Sequence, residues 1–125
     1  MWEEYNENPD GKDTGDCVIR ALTTATGLDW NTIYWSLCLY GSYHHDWGNR
    51  NSAWWHYLQD EGWTRRLLHP ECPTCYTIRD FCRDFPVGTY IVGTDGHVVA
   101  VINGTYIDSW NSGNESPIYY WTKEE

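Results

Sequence analysis

The sequence predicts an α+β fold, with N-terminal helices packed on a C-terminal antiparallel β-sheet. Three observations carry this. Apolar residues recur at helical spacing in the segments before Pro86. After Pro86, short β-branched and aromatic runs are separated by turn pairs. Asn103-Gly104 is a strong two-residue hairpin signal. Helices first and strands last give the α+β class, and 125 residues suit one domain spanning 1–125.

Residues 1–15 are polar, and Asn6, Asn8, Pro9, Gly11 and Gly15 predict an irregular lead-in. The run 17–26 carries an apolar stripe at Val18, Ala21, Leu22 and Ala25, which predicts a helix with Asp16 as N-cap and Gly27 as its stop. A second helix should start at Asp29, show Trp30, Ile33, Tyr34 and Leu37 on one face, and end at Gly41. A polar loop over 42–51 leads to a third helix over 53–61, capped by Ser52 and closed by Gly62. Residues 63–68 read as a short extended piece, and 70–73, with Pro70 and Pro73, as irregular. Thr77 and Asp80 have capping-box spacing for a fourth helix that ends before Pro86. Strands follow over 90–93, 97–102 and 105–110, with turns at Asp95-Gly96 and Asn103-Gly104; 117–121 adds an edge strand.

Composition narrows the function. The net charge of −10 disfavours phosphate backbones, so nucleic acid is not the expected partner, and the Arg65-Arg66 pair reads as a solvated face. No stretch approaches the roughly 20 apolar residues of a membrane span. The N-terminal residues show no secretory pattern, and the five cysteines, an odd number, are expected as free thiols in a reducing, cytoplasmic setting. Nine Trp and ten Tyr supply core surface and material for a binding groove. A single Cys72-Pro73-Thr74-Cys75 pair falls short of a zinc set, and no phosphate loop or dinucleotide fingerprint occurs, so no metal or cofactor is expected. His44-His45-Asp46 reads as a solvated loop.

One constellation carries chemistry. Cys17 opens a helix, where the macrodipole favours a thiolate. The hairpin turn pairs Ile102 with Thr105, Val99 with Asp108 and His97 with Trp110. Alternation then puts His97, Val99, Asp108 and Trp110 on one face, with Asp108 diagonal to His97 and Asn111 on the other side. A thiol, an imidazole and a carboxylate in this relation compose a nucleophile, a general base and its orienting group. Trp110 would shield the His–Asp hydrogen bond from water.

Gly15-Asp16-Cys17 at a helix start, Gly96-His97-Val98-Val99-Ala100-Val101, and Asp108-Ser109-Trp110 together resemble the papain-like cysteine peptidase superfamily. The likeness is to its minimal members, among them C39-like peptidases and short uncharacterised phage and gut-bacterial proteins, and it spans roughly residues 8–122. The resemblance implies a cysteine peptidase or amidase that acts on a peptide or protein substrate, with Cys17, His97 and Asp108 as the triad. Asp108-Ser109-Trp110 stands where the superfamily commonly has Asn-Ser-Trp. The superfamily's oxyanion-hole Gln, six residues before the Cys, is Gly11 here. The Cys17 backbone N–H supplies one donor, and the second is expected from Asn8, with Asn6 as an alternative. Two rivals remain. An NlpC/P60-like cell-wall amidase would use a second His, and none follows His97. A non-catalytic phage-type inhibitor on the same fold would use its acidic surface against a basic partner.

Overall fold

The computed structural model describes residues 1–72 and 74–123. It is α+β, with a six-stranded sheet. In chain order the elements are β1 (Trp2–Glu4), α1 (Cys17–Thr26), α2 (Trp30–His44), α3 (Asn51–Asp60), β2 (Thr64–Leu67), α4 (Ile78–Asp84), β3 (Thr89–Thr94), β4 (Val98–Ile102), β5 (Thr105–Asp108) and β6 (Pro117–Thr122). The strands lie in the order β1-β5-β4-β3-β6-β2.

Alternation along the strands makes two cores. Ile91, Ala100 and Trp121 point to one face and pack with Val18 and Leu22 of α1, Ile33 and Leu37 of α2, and Trp54 and Leu58 of α3. Val92, Val99, Val101 and Tyr106 point to the other face, where α4 contributes Ile78 and Phe81. Each large apolar side chain buried this way contributes about 1.5–3 kcal/mol. The sheet is therefore a middle layer, and its α1 face positions the site.

The hairpin register is as expected where the strands pair: Ile102 opposes Thr105, Val101 opposes Tyr106, and Ala100 opposes Ile107. Asn103 and Gly104 both have positive φ, as a type I′ turn requires. Gly27 closes α1 in the left-handed conformation, and the Thr77–Asp80 capping box forms at α4.

Several expectations are corrected. The lead-in contains β1, which pairs parallel with β5, so the sheet is mixed. Three residues with two acids carry no strand periodicity; the open edge of β5 orders them. β6 is interior, between β3 and β2, and the extended piece at 64–67 is the edge. α2 runs through Gly41 to His44, and His45 is the left-handed cap. Gly41 is needed for close approach, since a Cβ there would meet Asp46 O at 2.5 Å. α3 starts at Asn51 after Arg50, because Ser52 donates its hydroxyl to Asp46 rather than capping. The β4–β5 ladder stops at Ala100–Ile107, so the expected Val99–Asp108 and His97–Trp110 pairs lie outside it. Val99 faces the α4 core, while His97 and Asp108, at the end of the sheet, turn to Cys17 and Arg20 of α1.

Three cysteines, not five, are free: Cys17, Cys38 and Cys82. Cys72 and Cys75 form a disulfide, because a turn brings their Cα atoms to 5.2 Å, within disulfide range. Pro73, part of the predicted irregular run, lies outside the described residues. Among the described residues no helix is long and apolar enough to cross a membrane.

Candidate active site

The site lies at the end of the sheet where β5 leaves and β4 enters. Cys17 is the first residue of α1, whose N-terminal backbone N–H groups have no partner within the helix. Asp16 precedes it without capping by its side chain. Its carboxylate instead accepts from Arg20 Nε at 2.9 Å, Trp30 Nε1 at 2.9 Å and Asn8 Nδ2 at 3.2 Å. The helix start is thereby tied to its next turn, to α2 and to the lead-in.

The tight Asp95-Gly96 turn delivers His97. Thr94 N donates to His97 O at 2.8 Å, and Gly96 takes a positive φ that only glycine adopts readily. His97 Nε2 lies 2.6 Å from Asp108 Oδ2, which leaves Nδ1 free of the carboxylate, and the Cys17 thiol is the other group acting on the ring. Asp108 is only 2% exposed, and both its oxygens are occupied. Oδ1 accepts from Arg20 Nη1 at 3.0 Å and from Ser109 N at 2.8 Å; Oδ2 also accepts from Ser112 Oγ at 2.7 Å. β1 fixes the backbone behind it, since Asp108 O accepts from Tyr5 N and Trp2 Nε1.

The electrostatics follow from these contacts. Burial pushes the Cys17 thiol up. The His97 hydrogen bond and charge, the Val98 backbone N–H and the Arg20 charge outweigh that and hold it below its ordinary value. Burial alone would lower His97, but hydrogen bonds to Asp108 and Cys17 push it up to about 9. Burial likewise raises Asp108, and its bonds to His97, Ser112 and Arg20 bring it below the usual carboxylate range. All three directions favour a thiolate beside an imidazolium.

The structure joins His97 to Asp108 by a hydrogen bond, as the spacing predicts, and sets Cys17 beside His97 in the same cleft. Trp110 lies with its ring centroid 4.8 Å from that of His97 and is 44% exposed, so it covers one side of the ring. Asn111 points elsewhere and accepts from the Tyr106 hydroxyl. Asn8 is buried behind the helix start, with an amide N–H on Asp16 and its Oδ1 taken by Asp10 N; it does not line the cleft beside Cys17.

Sequence reasoning missed two residues. Arg20 is 7% exposed and bridges Asp16, Asp108 and Ser109. The i,i+4 spacing of Asp16 and Arg20 was its only signal. Ser112 is buried and follows β5 in a loop; no pattern announces it.

A cleft of about 790 Å³ opens beside Cys17 and His97. Trp54, Trp55, Tyr119, Arg50 and Arg65 line its far side. Among the described residues, no group of three or more His, Cys, Asp or Glu could hold a metal ion. Compared with protein-family models, with curated proteins and with solved structures, the chain matches none.

Proposed function

We propose that the chain is a papain-like cysteine hydrolase that cleaves a peptide, isopeptide or amide bond through an acyl-enzyme on Cys17. The observation that carries this is the placement of His97, with Asp108 2.6 Å from one ring nitrogen and the Cys17 thiol beside the ring in the same cleft. Such a ring can take the thiol proton and return it.

The Cys17 thiolate attacks the substrate carbonyl carbon, and the oxyanion faces the Cys17 backbone N–H at the helix start. His97 gives its proton to the leaving amine as the C–N bond breaks, leaving a thioester on Cys17. Water then attacks the thioester; His97 takes its proton and returns it to the sulfur as acid product leaves. Asp108 holds the ring and stabilises its charged form throughout.

The partner on His97 Nε2 is a carboxylate rather than a second imidazole, which favours this triad over the NlpC/P60-like alternative. The reading needs Cys17 reduced, and Cys17 is a free thiol while Cys72 and Cys75 are joined. Activated peptide esters and thioesters, quenched in acid, should leave an acyl adduct on Cys17 by peptide mass spectrometry. Turnover should vanish in Cys17→Ala and fall about 10²–10⁴-fold in His97→Ala. Turnover unchanged by Cys17→Ala would overturn the proposal. If Cys17→Ala also kept the full biological effect, the fold would serve as a binding module.

A further inference from the structure

We infer that Arg65, Trp55 and Tyr119 form a subsite for a substrate carboxylate, so that the hydrolase proposed above acts on acidic peptides. This rests on the hydrolase reading for its catalytic consequence, but the subsite is argued from Arg65 and the two rings that hold it.

Arg65 projects from edge strand β2 with its guanidinium carbon 4.3 Å over the Trp55 ring and 5.8 Å from the Tyr119 ring centroid. Two aromatic faces hold the cation while its N–H donors stay free to bind. In a chain with 18 acidic residues, Arg65 has no carboxylate partner among the described residues. The Trp55 indole Nε1, beneath it, is buried and directed at the Tyr119 hydroxyl, which ties the two rings together under the cation. A guanidinium held over two rings, lining the cleft and without an ion partner, calls for an acceptor, and a carboxylate matches its fork of N–H donors.

Tyr119 connects this corner to the nucleophile. Its ring lies across Gly93, where a Cβ would come 2.1 Å from Tyr119 Cζ, and Cys17 packs against the core cluster that contains Tyr119. The other charged groups of the cleft do not compete. Asp46 accepts from Trp47 N and the Ser52 hydroxyl and has Arg50 nearby, while Asp95 belongs to the β3–β4 turn beside His97. Three strand spacings of about 4.8 Å separate β4 from β2, and the register sets Arg65 level with Ala100, about 10 Å along the strand from His97, so the two backbones lie roughly 17 Å apart. That is the span of about five extended residues, which places the acid four to five residues from the scissile bond.

The test uses the ¹⁵N-labelled Cys17→Ala protein, so that binding is read without turnover. Acetylated, amidated hexapeptides carry Glu, Gln or Lys at each position in turn, and a fourth set carries Gln with a free C-terminus. The Glu peptides should bind at least about tenfold tighter than the Gln peptides and shift the Trp55 indole N–H resonance. The preference should vanish in Arg65→Gln, whose side chain is exposed and leaves the core intact. An advantage confined to the free C-terminus would also support the subsite, and would assign the carboxylate as terminal. Equal affinities, no measurable binding by any set, or a Glu preference that survives Arg65→Gln would overturn it. Because this protein lacks Cys17, failure of the hydrolase reading would leave a Glu preference standing. Equal affinities would leave the reactivity of Cys17 untouched.

Discussion

Arg20→Met removes the one cation between two buried carboxylates. Arg20 donates to Asp16 Oδ1 at 2.9 Å and to Asp108 Oδ1 at 3.0 Å, and all three residues are buried. Breaking a buried pair by removing one partner costs about 3–5 kcal/mol, because the remaining charge keeps its desolvation penalty. Here Asp16 is left without a cation, while Asp108 keeps His97. At about 4 °C per kcal/mol for a chain of this size, Tm should fall roughly 12–20 °C at pH 7. Thermal and urea unfolding of Arg20→Met, Asp16→Asn and the double variant would measure it. The double variant should be more stable than the two separate losses added together, since one carboxylate is no longer stranded. Arg20→Met within about 3 °C of the parent, or strict additivity, would refute the argument.

Other outcomes follow from the same contacts. His97 is raised from 6.5 to about 9, so its contribution to stability is complete below about pH 6.5 and is lost as pH rises through about 9. Asp108 is depressed from 3.8, so its contribution holds above about pH 4 and is lost as pH falls through its folded value. Asp108→Asn keeps the shape but removes the charge; an NMR titration should find His97 well below about 9, with the alkaline loss of stability beginning at lower pH. Gly93→Ala forces the Tyr119 ring aside, and overpacking of this kind costs about 1–3 kcal/mol, read by urea unfolding. It should also reduce labelling of Cys17 by peptide-based reagents more than labelling by small alkylators, because Tyr119 leaves the cleft.

Much of the site is written in local sequence. Asn103-Gly104 sets the hairpin register by turn chemistry alone, and the chain ends that leave this ladder bring Asp108 to His97. The Cys17 helix is legible because its apolar stripe and its Gly27 stop are local. What escaped depends on contacts distant in sequence. β1 becomes a strand only against β5, and the interior place of β6 depends on β2 arriving at its far side. Arg20 reads as one more polar residue on α1 until the fold brings Asp108 to it. Cys72 and Cys75 illustrate the limit of counting cysteines: the turn between them, not the composition, decides that they join. Asn8 is near Cys17 along the chain, but the fold turns its amide to Asp16.

The rate of iodoacetamide modification of Cys17 against pH, resolved from the other cysteines by peptide mass spectrometry, bears on whether the thiolate–imidazolium pair exists. The profile should rise well below the free-thiol range near 8.5, and in His97→Ala it should move up toward that range, since the hydrogen bond and charge that lower the Cys17 thiol come first from His97. A profile in the parent protein that rises only near 8.5, or one that His97→Ala leaves in place, would contradict the assignment of Cys17 as an activated nucleophile.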